Sequence, residues 1–222
     1  MPRTFIITES QLKLIKEARS NNFDFDELTN IPSFSGKVKY CKQHLGQPVG
    51  RGTSRLVFQY TDYQVLKLAM NAKGVAQNEY EGRSDWFKEK YSIFPKVYSK
   101  AENNSWLLSE YVLPAANKDF QHCLGLSFKE WCNVVIAIES QLRPNSYNKF
   151  YRSKTTEQML TELVDENEFI GEFYDYFANY NETLGDMRHI QNYGLALRNG
   201  KPWLVILDSG LSDDIFNNYY RR

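Results

Sequence analysis

Leu12, Ile15 and Ala18 recur at helical spacing behind Thr8-Glu9-Ser10-Gln11, a capping-box form, until Ser20-Asn21-Asn22 ends the run. The pattern predicts a short amphipathic N-terminal helix. Asn30 to Ser35, with Pro32, reads as a connector, after which the character turns from helical to extended. A lobe boundary is therefore expected near residue 36.

From Leu45 to Tyr111 short β runs alternate with turns. Leu56 to Tyr60 and Val65 to Leu68 flank Thr61-Asp62, and Lys96 to Ala101 and Trp106 to Tyr111 flank Glu102-Asn103-Asn104. Between these hairpins Val75 to Lys90 predicts one helix, so the region reads as an antiparallel sheet with a helix inserted. Past Val112-Leu113-Pro114 the period becomes helical. Ser127 and Glu130 form a second capping box ahead of a buried face of Trp131, Val134, Val135, Ile138 and Leu142. Thr155–Val164 and Glu168–Tyr180 predict two further helices, the latter with Phe169, Phe173, Tyr176 and Phe177 inward. A last hairpin joins Tyr193–Leu197 to Trp203–Leu207 through Asn199-Gly200.

Composition narrows the function classes. The 222 residues are 42% hydrophobic and 24% charged, which describes a soluble globular chain large enough for one core or two small lobes. Lys+Arg and Asp+Glu both number 27. With no net charge there is no broad basic field for a polyphosphate backbone, so general nucleic-acid binding is not expected. Cys41, Cys123 and Cys132 are widely spaced, and His44, His122 and His189 show no ligand spacing, which argues against a zinc site. The N-terminus lacks a signal-peptide core, and no apolar run approaches the ~20 residues that span a bilayer. No membrane association and a cytoplasmic location are the expectations.

Three segments could carry chemistry. In Val49-Gly50-Arg51-Gly52-Thr53-Ser54-Arg55 two glycines enter a strand, where absent side chains would let backbone N–H groups approach a phosphate. The same segment also reads as a plain hairpin, since it matches neither the Walker A nor the dinucleotide fingerprint. Lys67 interrupts the apolar strand Val65-Leu66-Lys67-Leu68-Ala69 and shares a face with Val65 and Ala69. It is either an edge lysine facing water or a cleft cation, and Glu79 or Glu81 on the following helix could pair with it. Asp186 and Asn192 precede the last hairpin and Asp208 follows it. Such oxygens suit metal-bound phosphates, although each Asp could equally cap a turn or end a strand.

In this order the segments resemble the protein kinase-like superfamily over about residues 45 to 211. Gly50-x-Gly52 with Val57 resembles the glycine-rich loop, Lys67 the β3 lysine, Glu79 or Glu81 its helix partner, and Leu108 to Pro114 the hinge. Asp186 with Asn192 resembles the catalytic loop, and Asp208-Ser209-Gly210 the D-F-G metal site. The wording VGRGTSRLVF, VLKLA, KGVAQNE and GDMRHIQNYGL is most similar to small kinase-like proteins of tailed bacteriophages.

The resemblance implies an α+β, bilobal protein kinase-like fold. Residues 1–36 would be an N-terminal helix and connector, 37–112 an antiparallel β N-lobe and 113–222 a truncated helical C-lobe. Gly50, Gly52 and Thr53 would cover the ATP phosphates, Lys67 would hold them, Asp186 would orient the acceptor hydroxyl, and Asn192 and Asp208 would hold Mg²⁺.

The departures are specific. Arg55 replaces the third glycine, Gly185 precedes the motif Asp, six positions separate Asp186 from Asn192 where the family has five, and Ser209 replaces the phenylalanine. With only a short stretch after Asp208, an activation segment and a peptide-docking platform are not expected.

Two functions follow from different classes. One is an ATP- and Mg-dependent phosphotransferase of unnamed acceptor. The other is a catalytically inactive pseudokinase serving as a phage structural or accessory part or as a host-interaction protein. In both cases the chain ends point to a protein partner, because the tail Ile215 to Arg222 concentrates aromatics and arginines.

Overall fold

A computed structural model describes residues 23–83, 90–143, 154–180 and 184–207. The expected N-terminal helix from Thr8, as well as Asp208, Ser209, Gly210 and the aromatic tail, lies outside the described residues. The fold is α+β with two antiparallel sheets, and it divides into two compact units. Among the described residues, one holds those up to Asn78 together with Tyr98–Ser109, and the other holds those from Glu79 to Val97 and from Glu110 onward.

In the first unit, α1 (Phe25–Asn30) opens at Asp24, whose carboxylate accepts from the N–H groups of Asp26 and Glu27. Pro32 then stops it, and Ser33 caps α2 (Phe34–Leu45), which ends at Gly46 with φ +84°. The extended character expected beyond residue 36 therefore begins only after α2, which runs through that position. The buried ammonium of Lys37 explains how two helices fit so close to a proline. It donates to Leu28 O at 2.6 Å and Thr29 O at 2.7 Å, satisfying carbonyls that the end of α1 leaves open.

The five-stranded sheet runs in the order β1 (Gly50–Arg51), β2 (Arg55–Gln59), β3 (Gln64–Ala69), β5 (Trp106–Glu110), β4 (Val97–Lys100). Both hairpins stand where the turn signals place them. One face of β2 and β3 buries Leu56, Phe58, Leu66 and Leu68 with Leu28, Tyr40, Cys41 and Trp106. Trp106 also reaches α1 by a bond from Nε1 to Thr29 Oγ1 at 2.8 Å. The inserted helix, α3 (Ala72–Glu81), starts earlier and ends sooner than the Val75–Lys90 expectation. Asn71 supplies its N-terminal acceptor, Oδ1 to Gly74 N at 3.1 Å, and Gly82 follows its last residue.

In the second unit the sheet is β6 (Leu113–Pro114), β7 (Tyr193–Arg198), β8 (Lys201–Ile206), antiparallel throughout. Its helices are α4 (Asn117–Leu124), α5 (Phe128–Leu142), α6 (Lys154–Glu166) and α7 (Glu168–Asn179). The Ser127–Glu130 capping box opens α5, and Trp131, Val134, Val135 and Ile138 are buried. Phe169, Phe173, Tyr176 and Phe177 of α7 fill the same core. Asn199 and Gly200, with φ of +52° and +76°, turn β7 into β8 in the left-handed conformations a two-residue hairpin needs. Arg198 at the end of β7 forks onto Glu110, Nη1 to Oε1 at 2.8 Å and Nη2 to Oε2 at 2.9 Å, and also donates to Phe94 O. Among the described residues no helix is long and apolar enough to cross a membrane.

Candidate functional site

The candidate residues fall into two groups, one in each unit. In the first unit the register pairs Gly50 with Val57 and Val57 with Lys67. Directly paired residues of antiparallel strands point to one face, so Gly50, Val57 and Lys67 form a row across three strands, on the side opposite Leu56, Phe58, Leu66 and Leu68. Lys67 is half-buried on that face. The turn before β2 closes by Gly52 N to Arg55 O at 2.9 Å, and Gly50, Gly52 and Thr53 line its open side with little or no burial.

Helix α3 holds this turn from beneath. Ser54 Oγ donates to Gln77 Oε1 at 2.9 Å, and Arg55 Nη1 to Asn78 Oδ1 at 3.4 Å. Asn78 is completely buried. Its Nδ2 donates to Asn104 O at 3.0 Å and, at 3.4 Å, to the carbonyl of Lys67. Gly74 permits this approach, because a Cβ there would collide with Ser54 O and the backbone of Ala69. Of the two acids proposed for Lys67, Glu79 is exposed and Glu81 is 4% exposed at the end of α3.

In the second unit two consecutive 3₁₀ turns, Gly185–Arg188 and Ile190–Asn192, carry Asp186 and Asn192. Asn192 Nδ2 donates to Asp186 O at 2.8 Å, so the two motif residues meet despite the longer spacing between them. That bond leaves the amide oxygen of Asn192 as its acceptor. Leu207 N donates to Asn192 O at 2.8 Å, which ties the residue preceding Asp208 to the same loop. The loop is anchored from below by a buried relay: Trp131 Nε1 donates to Tyr193 Oη at 2.8 Å, and Tyr193 Oη donates to Met187 O at 2.7 Å. Burial pushes the Tyr193 phenol well above its ordinary range, which keeps it a donor. Cys132 Sγ lies 3.8 Å from Arg188 O, and burial raises its thiol too.

Gln77, Asn78, Trp131 and Tyr193 were not singled out from the sequence as site residues. Gln77 and Asn78 carry no local signal there beyond Gly74 one turn earlier, since polar residues on a helix read as solvent-facing. Among the described residues no three His, Cys, Asp or Glu side chains gather as a metal set. The Mg²⁺ ligands implied by the resemblance include an amide oxygen, Asn192, and a carboxylate outside the described residues, Asp208. No family model and no curated protein matches the chain.

Proposed function

We propose that the chain is an ATP- and Mg-dependent phosphotransferase on a bilobal protein kinase-like fold. The observation that carries this reading is the Asn192 Nδ2 to Asp186 O bond, with Leu207 N on Asn192 O. It fixes the side-chain amide of Asn192, the backbone of Asp186 and the strand end leading to Asp208 in one loop. Hard oxygen donors such as Asn192 Oδ1 and the Asp208 carboxylate suit Mg²⁺. The ion would neutralise phosphate charge there.

Each residue then has a role. Gly50, Gly52 and Thr53 offer the phosphates a turn with few side-chain obstructions, and Lys67, in the row with Gly50 and Val57, supplies their countercharge. Glu79 and Glu81 are the two acids proposed for that lysine. Asp186 accepts the proton of an acceptor hydroxyl.

Thermal unfolding with and without Mg·ATP tests the reading, alongside Asp208→Asn. Saturation near a hundred times Kd adds about 2.7 kcal/mol to the wild type. The expected result is an upward shift in Tm that shrinks in Asp208→Asn and disappears when EDTA removes the metal. A wild type whose Tm ignores Mg·ATP overturns the phosphotransferase and leaves the binding scaffold.

A further inference from the structure

Nucleotide loops rich in glycine are ordinarily mobile, because glycine adopts many backbone conformations at little cost. The turn in this chain has lost one glycine to Arg55 and is bound on its inner side at every residue from Ser54 to Arg55. Ser54 is 2% exposed, with its hydroxyl on Gln77 and its carbonyl accepting from Met70 N at 2.8 Å. Arg55 is 8% exposed, with its guanidinium on Asn78. Asn78 in turn joins the carbonyls of Lys67 and Asn104. One fully buried amide therefore links the glycine turn, the lysine strand and the β4–β5 turn to α3, and Gly74 removes the side chain that would hold the helix away.

We propose that Asn78 and Gln77 are positioning residues that preform the glycine turn and fix the backbone of the Lys67 strand before any nucleotide arrives. This inference rests on the nucleotide reading above and deepens it. A ligand pays no conformational penalty when its loop is already in the competent state. Its apparent Kd rises in proportion as that state is depopulated. The lock also gives Arg55 a role that a third glycine could not fill, since glycine has no group to meet Asn78.

Amide hydrogen exchange on the full chain tests the lock without nucleotide, and Mg·ATP titration tests its purpose. In Asn78→Ala and Gln77→Ala the amides of Gly52 and Met70 should exchange at least about tenfold faster, while Tyr193–Ile206 stays protected. Gln77→Glu keeps an acceptor for Ser54 Oγ and should retain wild-type exchange. The apparent Kd for Mg·ATP should rise about tenfold in the two alanine variants, following a competent population reduced to about a tenth, and return in Gln77→Glu. Unchanged exchange at Gly52 and Met70 overturns the lock, and faster exchange with an unchanged Kd overturns its positioning role. Should Asn78→Ala lose its fold, Gln77→Ala and Gln77→Glu still decide the matter. A wild type that binds no Mg·ATP defeats the nucleotide reading, and the exchange data then score the lock by themselves.

Discussion

The glycine turn of the first unit and the Asp186–Asn192 loop of the second are both short, irregular segments, yet different forces hold them. The turn is gripped by polar side chains of one helix, Gln77 with a bond of 2.9 Å and Asn78 with bonds of 3.0 to 3.4 Å. The loop folds on its own backbone, two 3₁₀ turns, and is fastened to an aromatic core through Trp131 and Tyr193. Individual polar bonds contribute about 1 kcal/mol net, whereas a buried tryptophan contributes several. The turn can thus be loosened by small changes, while the loop should yield only when its core does.

Trp131→Ala should break the loop side most severely. Trp131 is fully buried, stacks edge-on against Phe169, Phe173 and Tyr193, and supplies the donor for Tyr193 Oη. A loss of about 3–5 kcal/mol is expected, read by urea denaturation, together with faster amide exchange at Met187 and Asn192. If those amides keep their protection, the loop does not depend on the core.

Gly74→Ala should weaken the turn side by an intermediate amount. Helix propensity alone favours alanine by about 1 kcal/mol, but the new methyl would meet Ser54 O and lie 3.0 Å from Ala69 Cα, both backbone atoms. A net loss of about 1–3 kcal/mol is the expected outcome, and a gain in stability would show that α3 does not dock flush on the turn.

The smallest effect sharpens the contrast through pH. Burial raises the Glu110 carboxyl pKa, but the Arg198 fork and the Lys96 N–H outweigh it, and the group ends below its ordinary 4.5. A carboxyl lowered on folding contributes stability above its unfolded pKa and loses it as the pH falls through the folded value. Wild type should therefore lose stability on acidification through that lowered value, and Glu110→Gln should show a flatter profile. Parallel denaturation midpoints across pH 3 to 7 would remove the pair from the account.

Much of the architecture is legible where periodicity is strong. β2 and β3 are short apolar runs bounded by turn residues, α7 presents Phe169, Phe173, Tyr176 and Phe177 at helical spacing, and the Ser127 capping box marks the start of α5. Helix α2 also carries the helical series Phe34, Val38, Cys41, Leu45, but the connector reading of Asn30 to Ser35, with Pro32, overlaps its start and hides it. Ser33 caps its start, while its Lys37 is withdrawn from water to close the end of α1, and no local rule assigns a lysine to that task. For the site, residue types and order single out Lys67, Asp186 and Asn192. The bond from Asn192 to Asp186 O depends on two stacked 3₁₀ turns, a tertiary outcome that spacing alone does not reveal. Asn78 is a sharper case, since a completely buried asparagine looks in sequence like any polar residue on a helix.

Cys41 gives the first unit a chemical property of its own. Its sulfur is fully enclosed in that core, and burial lifts the thiol to about 12. Because the thiolate is the species that alkylating and oxidising agents attack, Cys41 is silent toward them for as long as the core stays shut. Reaction at that sulfur requires the helices and sheet around it to part. One atom therefore records how often the unit breathes.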